Sequence, residues 1–369
     1  MSERGEVHVL HVVPGLLPGG MEFTLCRIIR GTAGEGLRHS VACLKGEAEI
    51  GAEIAGAASI CCMHATPNEP LLFWRLRKLI KQVRPDVIHA LNWGAWPDTA
   101  LARMTLLPPT PLIFTFHGLG RAGRMPLRRR LAFRILPLFT TVLTTVSEGS
   151  KRMMVADYGW PGRRVEVIPN GIDSTRFRPP EGPRAGGRLV IGTVGNLRPV
   201  KNHAVLVRAA AELAAQGIDL ELRVAGEGPR RKALEELAES LKFSGRLRLL
   251  GFVEDVGEFL HGLDIFVLPS DSEQHPICLL EAMASALPCV ASDVGGVGEM
   301  LDGGRCGKLV PPGQPRPLAR AIAELASSDP LRRSIGLAAR QRVRECYNLQ
   351  RMCDSYRQLY LRFAKKKPR

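Results

Sequence analysis

The chain has 369 residues, enough for two domains with separate cores, and 45% of them are apolar, which excludes a disordered protein. Its formal net charge is +15, and a basic protein can attract nucleic acid, an anionic membrane or a phosphorylated ligand. Aromatic residues make up only 5%, few for base stacking, and no nucleic-acid-binding motif occurs. We therefore expect no nucleic acid as a partner.

The sequence predicts a cytoplasmic protein that does not cross a membrane. Its first residues lack the basic-then-apolar pattern of a signal peptide, and the longest apolar stretch, 131–146, is interrupted by Arg134 and Pro137. The nine cysteines are an odd number without Cys-x-x-Cys or zinc-ligand spacing. Reduced thiols, rather than disulfides or a metal site, are expected in such a chain.

Apolar strands alternate with helices along the first half of the chain. Val7–Val13 is a continuous apolar run, typical of a parallel strand buried on both faces, and Gly19 and Gly20 then open a helix over 21–30. The further strands and helices that the pattern predicts here are 39–44, 71–83, 87–91, 97–106, 112–116 and 141–146. This alternation predicts a doubly wound α/β domain.

Two polar residues directly follow predicted strands of this domain. Asn92 ends one strand, and His117 ends the next. Ligands of open α/β sheets bind at the carboxyl ends of the strands, so both are candidate contacts. A histidine at a strand end is more often structural, and the residues alone leave both interpretations open.

A turn and a linker separate the two halves. Asn170 and Gly171 form a strong turn signal, and the stretch that follows is rich in proline and glycine. The first domain is predicted to span residues 1–178 and the second 186–345.

The second domain begins with a strand that ends at Gly195 and is followed by Arg198 and Lys201. Arginine can bind phosphate oxygens as a fork and lysine as a point charge, although solvated loop cations are the alternative. A later strand is predicted over 247–253, and its end, from Gly251 to Val253, is expected near the base of the nucleotide. Helices are predicted at 203–216, 230–241, 315–327 and 330–345.

The most informative stretch contains Glu273 and Glu281, with seven residues between them. A strand at 264–268 precedes it, and a helix over 277–286 has Pro276 at its first turn, where the missing N–H costs nothing. A helix N-terminus attracts phosphate, and a carboxylate can accept hydrogen bonds from sugar hydroxyls. The arrangement suits a nucleotide sugar. The alternative is that Glu281 only offsets the helix dipole while Glu273 is a solvated charge.

The run from Pro-Ser through Glu-x7-Glu and Glu-Ala-Met-Ala to Val-Gly-Gly resembles the signature of the GT-B-fold retaining glycosyltransferases of the family 4 type. The resemblance extends through Glu299 and the Gly-Lys-Leu-Val-Pro-Pro run at 307–312, covers nearly the whole chain, and is strongest over 189–312. Family members often have Gly-Phe after the first glutamate, where this chain has Gln274 and His275. The donor sugar therefore does not follow from the resemblance.

The resemblance implies two Rossmann-like domains that face a cleft, with a last helix at about 346–369 that packs back on the first. It implies transfer of a sugar from a nucleoside diphosphate sugar to an acceptor hydroxyl, with retention at the anomeric carbon and no required cofactor or metal. The catalytic candidates are His117, Arg198, Lys201 and Glu273. The substrate-binding candidates are Gly19, Gly20, Asn92, Gly195, Phe252, Val253, Pro276, Ile277, Leu280 and Glu281.

Two alternatives remain, a sugar-nucleotide 2-epimerase of the same fold and a non-catalytic sugar-nucleotide-binding protein. The acceptor is expected to be a glycan or a lipid-linked glycan. Segment 121–134 has six arginines interleaved with Met125, Leu127, Leu131 and Phe133. Such a segment can rest on an anionic membrane, which predicts peripheral association with the inner face, or it can bind a phosphorylated acceptor.

Overall fold

The structure, a computed structural model, describes residues 6–34, 36–66, 69–118, 126–180, 182 and 187–364. These residues form two compact units. The first contains the described residues up to 118, 126–171 and 349–364, and the second contains those from 172 to 348. Strands and helices are numbered along the chain.

The first unit is built around a parallel sheet. Its strands are β1 (Val7–Val13), β2 (Leu37–Cys43), β3 (Ala58–Cys62), β4 (Val87–Leu91), β5 (Leu112–Phe116), β6 (Val142–Thr145) and β7 (Val165–Val167). Its helices up to residue 171 are α1 (Gly20–Thr32), α2 (Leu72–Val83), α3 (Trp96–Met104), α4 (Leu127–Ile135) and α5 (Glu148–Tyr158). The strand order is β3-β2-β1-β4-β5-β6-β7. The order reverses direction between β1 and β4, and such a switch point leaves a crevice at the carboxyl ends.

The second unit repeats this plan. Its strands are β8 (Leu189–Val194), β9 (Leu220–Ala225), β10 (Leu247–Gly251), β11 (Ile265–Leu268), β12 (Cys289–Ser292) and β13 (Lys308–Val310). Its helices are α6 (His203–Ala215), α7 (Arg231–Ser240), α8 (Val256–His261), α9 (Ile277–Ala284), α10 (Val297–Met300), α11 (Pro315–Ala326) and α12 (Asp329–Cys346). The order is β10-β9-β8-β11-β12-β13, with the switch point between β8 and β11.

The last helix, α13 (Leu349–Ala364), belongs to the first unit, where it packs against α1 and β1. Its tyrosines, Tyr356 and Tyr360, are buried beside apolar residues of the sheet. The helix therefore completes the covering of one face of the first sheet, because parallel strands need both faces covered.

The change of unit comes earlier in the chain than residue 178. Ile172 and Phe177 are buried in the core of the second unit. Arg340 of α12 donates hydrogen bonds to the backbone carbonyls of Phe177, Ser174 and Ala284. Residues 172–178 thus belong to the second unit, because their apolar side chains and their carbonyls find partners there.

The prediction of two Rossmann-like, doubly wound α/β domains is confirmed at the level of each unit. Several element bounds differ from the prediction. The predicted helix 277–286 ends at Ala284, because Ala286 has a φ of 56° and starts a turn. Strand β10 ends at Gly251, so Phe252 and Val253 lie in the loop after it. Along the described chain, no helix is both long enough and apolar enough to cross a bilayer.

Candidate active site

In the second unit, the predicted charges meet at the carboxyl edge of the sheet. Lys201 lies in the loop after β8, and Glu273 lies in the loop after β11. These strands are neighbours, and Lys201 Nζ donates to Glu273 Oε1 over 2.6 Å. The Glu273 side chain is only 10% exposed and that of Lys201 25%. The pair is thus partly desolvated, which strengthens its attraction relative to a pair in open water.

Two further groups fix the pair. Ser270 Oγ donates to the same Glu273 oxygen over 2.7 Å. Burial lowers the pKa of Lys201, but the Glu273 carboxylate and the Cys278 thiol together more than offset that effect, and the net pKa is raised. Lys201 is consequently a permanent cation at this edge. The Cys278 thiol lies in the electrostatic field of both residues, and burial raises its pKa to about 12.

Backbone segments approach one another closely around this pair. A Cβ on Gly295, which has a φ of 56°, would lie 1.7 Å from the carbonyl oxygen of Glu273. A Cβ on Gly226, which has a φ of 145°, would lie 2.2 Å from the carbonyl oxygen of Gly195. Only glycine fits these two positions, so the loops that carry Gly195 and Glu273 are held tightly against their neighbours.

Helix α9 provides the other predicted contacts. Pro276 is its N-cap residue, whose side chain makes no capping hydrogen bond, and Ile277 is its first residue. Glu281 is buried within the helix, at 7% exposure. Leu280 is fully buried in the core, and its N–H donates to the Pro276 carbonyl. The Leu280 side chain therefore packs the core and is not displayed to a ligand.

The remaining predicted contacts of this unit differ in exposure. Arg198 and Phe252 are exposed, Phe252 at 65%, whereas Gly195 and Val253 are half-buried. Gln274 and His275 both point into the protein. His275 packs edge-on against Tyr347 at 4.9 Å, and burial lowers the pKa of His275 to about 3. His275 is thus neutral at physiological pH.

In the first unit, the predicted residues follow three adjacent strands. Gly19 is the N-cap of α1 and Gly20 its first residue, after β1. Asn92 follows β4 with a φ of 61°, and its N–H donates to the Thr115 carbonyl of β5. His117 follows β5. The strand order β1-β4-β5 brings all of them to one edge.

Two polar atoms at this edge are buried and have no hydrogen-bond partner within the part of the chain that is described, namely Asn92 Oδ1 and His117 Nε2. Burial lowers the pKa of His117 to about 4, so its ring is neutral at pH 7. A buried polar atom without a partner is costly, and such atoms often await a ligand group. The edge is therefore suited to an uncharged hydroxyl-bearing ligand.

Helix α4 presents a mixed apolar and basic surface to solvent. Leu127, Leu131 and Ile135 recur at helical spacing and are 78%, 57% and 43% exposed. Phe133, by contrast, is fully buried in the core, so its predicted place on this surface is wrong. The guanidinium of Arg129 lies over the Trp93 ring at 4.8 Å. Residues 121–125 of the predicted basic segment, Met125 included, lie outside the described residues.

Two family models match the chain along nearly its whole length. The model described as Glycosyltransferase Family 4 matches residues 18–176, and the model described as Glycosyl transferases group 1 matches residues 175–342. The chain belongs to the group 1 glycosyltransferases of GT-B fold. The resemblance to the GT-B-fold glycosyltransferases that was noted in the sequence is thereby confirmed.

The chain resembles several curated proteins. A putative glycosyltransferase, EpsF, of Bacillus subtilis is 34% identical over 254 residues, or 64% of this chain and 65% of EpsF. A D-inositol 3-phosphate glycosyltransferase of Nocardia farcinica is 35% identical over 281 residues, or 69% of this chain and 61% of the relative. The chain thus spans less than two thirds of the length of both relatives.

Among solved structures, HepE of Anabaena in complex with UDP and glucose has a TM-score of 0.84 with 18% identity, and the match covers 97% of this chain and all of that one. At this identity the likeness supports the fold alone. It agrees with a GT-B fold, in which each of two α/β units contains a parallel sheet.

The structure also shows residues of this candidate site that the sequence analysis missed. Asn202 Nδ2 donates to Asp271 Oδ1 over 2.7 Å, and the Asp271 N–H donates to the Val200 carbonyl over 2.9 Å. These bonds connect the loop of Lys201 to the loop of Glu273. Their only sequence signal is their position directly after two strands. No group of three or more His, Cys, Asp or Glu side chains in the described residues could hold a metal ion.

Proposed function

We propose that the protein transfers a sugar from a nucleoside diphosphate sugar to an acceptor hydroxyl, with retention of the anomeric configuration, in the synthesis of a polysaccharide or glycolipid. The Lys201–Glu273 pair at the sheet edge is the observation that carries this proposal. It offers a fixed cation beside a carboxylate, which matches a diphosphate joined to a sugar. HepE, a fold neighbour, has been solved with UDP and glucose, which supports the same ligand class.

In this proposal the second unit binds the donor. Lys201, together with the exposed Arg198, binds the diphosphate and stabilises the charge that builds up on it as the sugar departs. The N-terminus of α9 adds backbone N–H groups for the phosphates. Glu281 accepts hydrogen bonds from the ribose hydroxyls, and Phe252 and Val253 lie beside the base.

The reaction needs no carboxylate pair of the kind that glycosidases use. The departing diphosphate oxygen takes the proton of the acceptor hydroxyl, so the acceptor attacks from the side that the diphosphate leaves. Retention follows from this front-side geometry. Glu273 and His117 contact the sugar, and the loop of Gly19 and Gly20, with Asn92, binds the acceptor. The reaction as proposed requires no cofactor.

The experiment is a panel of nucleoside diphosphate sugars in two formats. Thermal stabilisation identifies the donor, because a ligand that binds only the folded state raises the unfolding temperature. Proton NMR of the product then reads the anomeric configuration. An inverted product would overturn retention, and turnover of the donor to an epimer without any acceptor would overturn the transferase proposal. Binding without turnover for every acceptor class tried would favour a non-catalytic protein.

We further propose that helix α4 rests on the anionic inner face of a membrane, which would give a cytoplasmic protein access to a lipid-linked acceptor. The exposed Leu127, Leu131 and Ile135 form one apolar stripe, and the exposed Arg128 and Arg134 flank it. A helix of this kind inserts its apolar face at the headgroup level while its cations bind lipid phosphates.

Vesicle flotation tests this surface. Because each cation near an anionic surface contributes about 1 kcal/mol, replacement of Arg128, Arg130 and Arg134 by Ser should weaken binding roughly a hundredfold. A control with the same net charge replaces the exposed Arg316, Arg320 and Arg333 of the second unit. Equal loss in both variants, or equal flotation with neutral and anionic vesicles, would leave only a water-soluble acceptor.

A further inference from the structure

Two thiols lie side by side at the edge of the first sheet. Strands β2 and β3 are parallel neighbours, and their register places Cys43 directly beside Cys62. Cys43 is fully buried, whereas Cys62 is half-buried. The adjacent Cys61 is exposed and has Ala42 as its neighbour in β2.

The separation of these residues suits a disulfide bond. Neighbouring strands in a sheet lie about 4.8 Å apart, and disulfide-bonded residues have Cα atoms roughly 4.4–6.8 Å apart. Strand β3 is the edge strand of the sheet, paired only with β2 in the described strand order. It can therefore shift towards β2 without breaking a second ladder of hydrogen bonds. Cross-strand geometry leaves strain in such a bond, and strained disulfides are readily reduced.

We propose that Cys43 and Cys62 form a reversible thiol–disulfide switch that responds to peroxide. The more accessible Cys62 sulfur, as its thiolate, attacks a peroxide oxygen, so the O–O bond breaks and a sulfenic acid forms while hydroxide leaves and is protonated to water. The Cys43 sulfur then attacks the Cys62 sulfur, its proton leaves with the hydroxyl as a second water, and the S–S bond forms. Two thiols are oxidised and one peroxide is reduced.

The assignment of the two steps follows from the environment of each thiol. Burial, and after it the neighbouring Cys62, raises the pKa of Cys43 to about 12. Cys43 is thus a poor first nucleophile and is better placed to resolve the sulfenic acid beside it. A thiol on the opposite face of β3, such as Cys61, has no such partner in register.

The switch is connected to the loop between β1 and α1. Leu16 belongs to this loop, and its N–H donates to the Glu47 carbonyl over 3.0 Å. Leu16 and Cys43 are buried in one core, with Cys62 packed against it. Bond formation draws the Cys43 sulfur towards β3 and away from Leu16. Oxidation should therefore loosen the loop that ends in Gly19 and Gly20.

Peptide mapping tests the proposal. The reduced protein is treated with hydrogen peroxide, alkylated, digested with trypsin and analysed by mass spectrometry. We expect one species, 2 Da lighter, that joins the peptide of Cys43 to that of Cys62 and disappears with dithiothreitol. Cys61→Ser should form it normally, whereas Cys43→Ser should leave Cys62 as a stable sulfenic or sulfinic acid.

Hydrogen exchange on the same samples measures how well the amides of the loop between β1 and α1 are protected. Exchange of the Leu16 amide and its neighbours should rise at least severalfold in the oxidised wild type and stay unchanged in oxidised Cys43→Ser. A link through Cys61, a link between two molecules, or Cys43 still reduced at full oxidation of Cys62 would overturn the switch. A disulfide without any change in loop exchange would overturn its connection to the loop.

Discussion

The carboxyl edges of the two sheets are built alike but filled differently. At the second edge, Lys201 and Glu273 pair over 2.6 Å, and Ser270 donates to the same carboxylate. At the first edge, Asn92 Oδ1 and His117 Nε2 are buried, and neither has a hydrogen-bond partner among the residues described. The edge of the second sheet thus has an ion pair that neighbouring side chains stabilise. The edge of the first sheet has neutral polar atoms that a ligand could bind.

This difference suggests how one fold can accommodate two ligands. A site that binds a charged diphosphate needs cations that keep their position when the ligand is absent. An ion pair within the protein keeps such a cation in position. A site for an uncharged sugar or hydroxyl works better with neutral groups, because burying a charge costs free energy that a hydroxyl returns only in part. The four predictions below test whether the two edges divide the work in this way.

The largest effect is expected for the charge of Glu273. Glu273→Gln keeps the size of the side chain and an oxygen that can accept from Lys201 and Ser270, so the fold should persist. Transfer should nevertheless fall by about 10²–10³-fold in kcat, because the charge near the reacting sugar is lost. Affinity for the free nucleoside diphosphate should be nearly unchanged.

Steady-state kinetics and calorimetry check this expectation. The matched control is Glu258→Gln, whose carboxylate is 83% exposed in the same unit. It should keep its rate within twofold. Full activity of Glu273→Gln would show that the charge has no catalytic role.

At the first edge, His117→Ala should lower transfer by about 10²-fold, since His117 is neutral and its Nε2 is available to the sugar. A purely structural histidine would lose stability on replacement. Because the Nε2 atom lacks a partner, His117→Ala breaks no hydrogen bond of that atom and should lower the melting temperature only by the small cost of the space that the ring leaves. His64→Ala, at an exposed position of the same unit, is the control. A large fall in melting temperature with retained kcat would make His117 structural.

The two cations should separate binding from stability. Lys201→Ala and Arg198→Ala should each weaken nucleoside diphosphate binding more than tenfold, because a charge-assisted hydrogen bond contributes roughly 1.5–3 kcal/mol. Only Lys201→Ala should also destabilise the protein, by about 2 kcal/mol, since it leaves the nearly buried Glu273 carboxylate without its cation. Calorimetric affinity and urea unfolding measure the two quantities. Unchanged affinity in both variants would remove the phosphate assignment.

The sequence predicted the charged edge better than the neutral one. Glu273 and Lys201 stand out in a motif, but their contact depends on β8 and β11 being neighbours, which spacing along the chain does not reveal. Strand β3 was missed because it has only five residues and Ser59 interrupts its apolar run. The donations by Ser270 and Asn202 were missed because single polar residues in loops carry no periodic signal.

The first sheet also contains a group of buried histidines that no sequence motif predicted. His11 Nε2 and His39 Nδ1 are 3.0 Å apart, and His89 Nδ1 is 2.9 Å from the Tyr360 hydroxyl of α13. The other groups around them are His8, Thr32, Thr115, His117 and Tyr356. Burial lowers the pKa of His39 to about 4 and that of His89 to about 3, and that of His11 falls well below its usual value.

These neutral histidines should make the first unit acid-sensitive. In the unfolded chain they bind protons near pH 6.5, whereas in the folded chain His39 stays neutral down to about pH 4 and His89 down to about pH 3, and the pKa of His11 is also lowered. Their contribution to stability is therefore complete above pH 6.5 and is lost as the pH falls, at about 1.4 kcal/mol per pH unit for each histidine. Hydrogen exchange at pH 7 and pH 5 should show protection falling in β1 and β2 by more than in β8 and β9.

His39→Gln can keep a hydrogen bond to Thr32 and should reduce this pH dependence, while His64→Gln at an exposed position should not. An equal loss of protection in the two sheets between pH 7 and pH 5 would show that the buried histidines do not make the first sheet more sensitive to acid than the second.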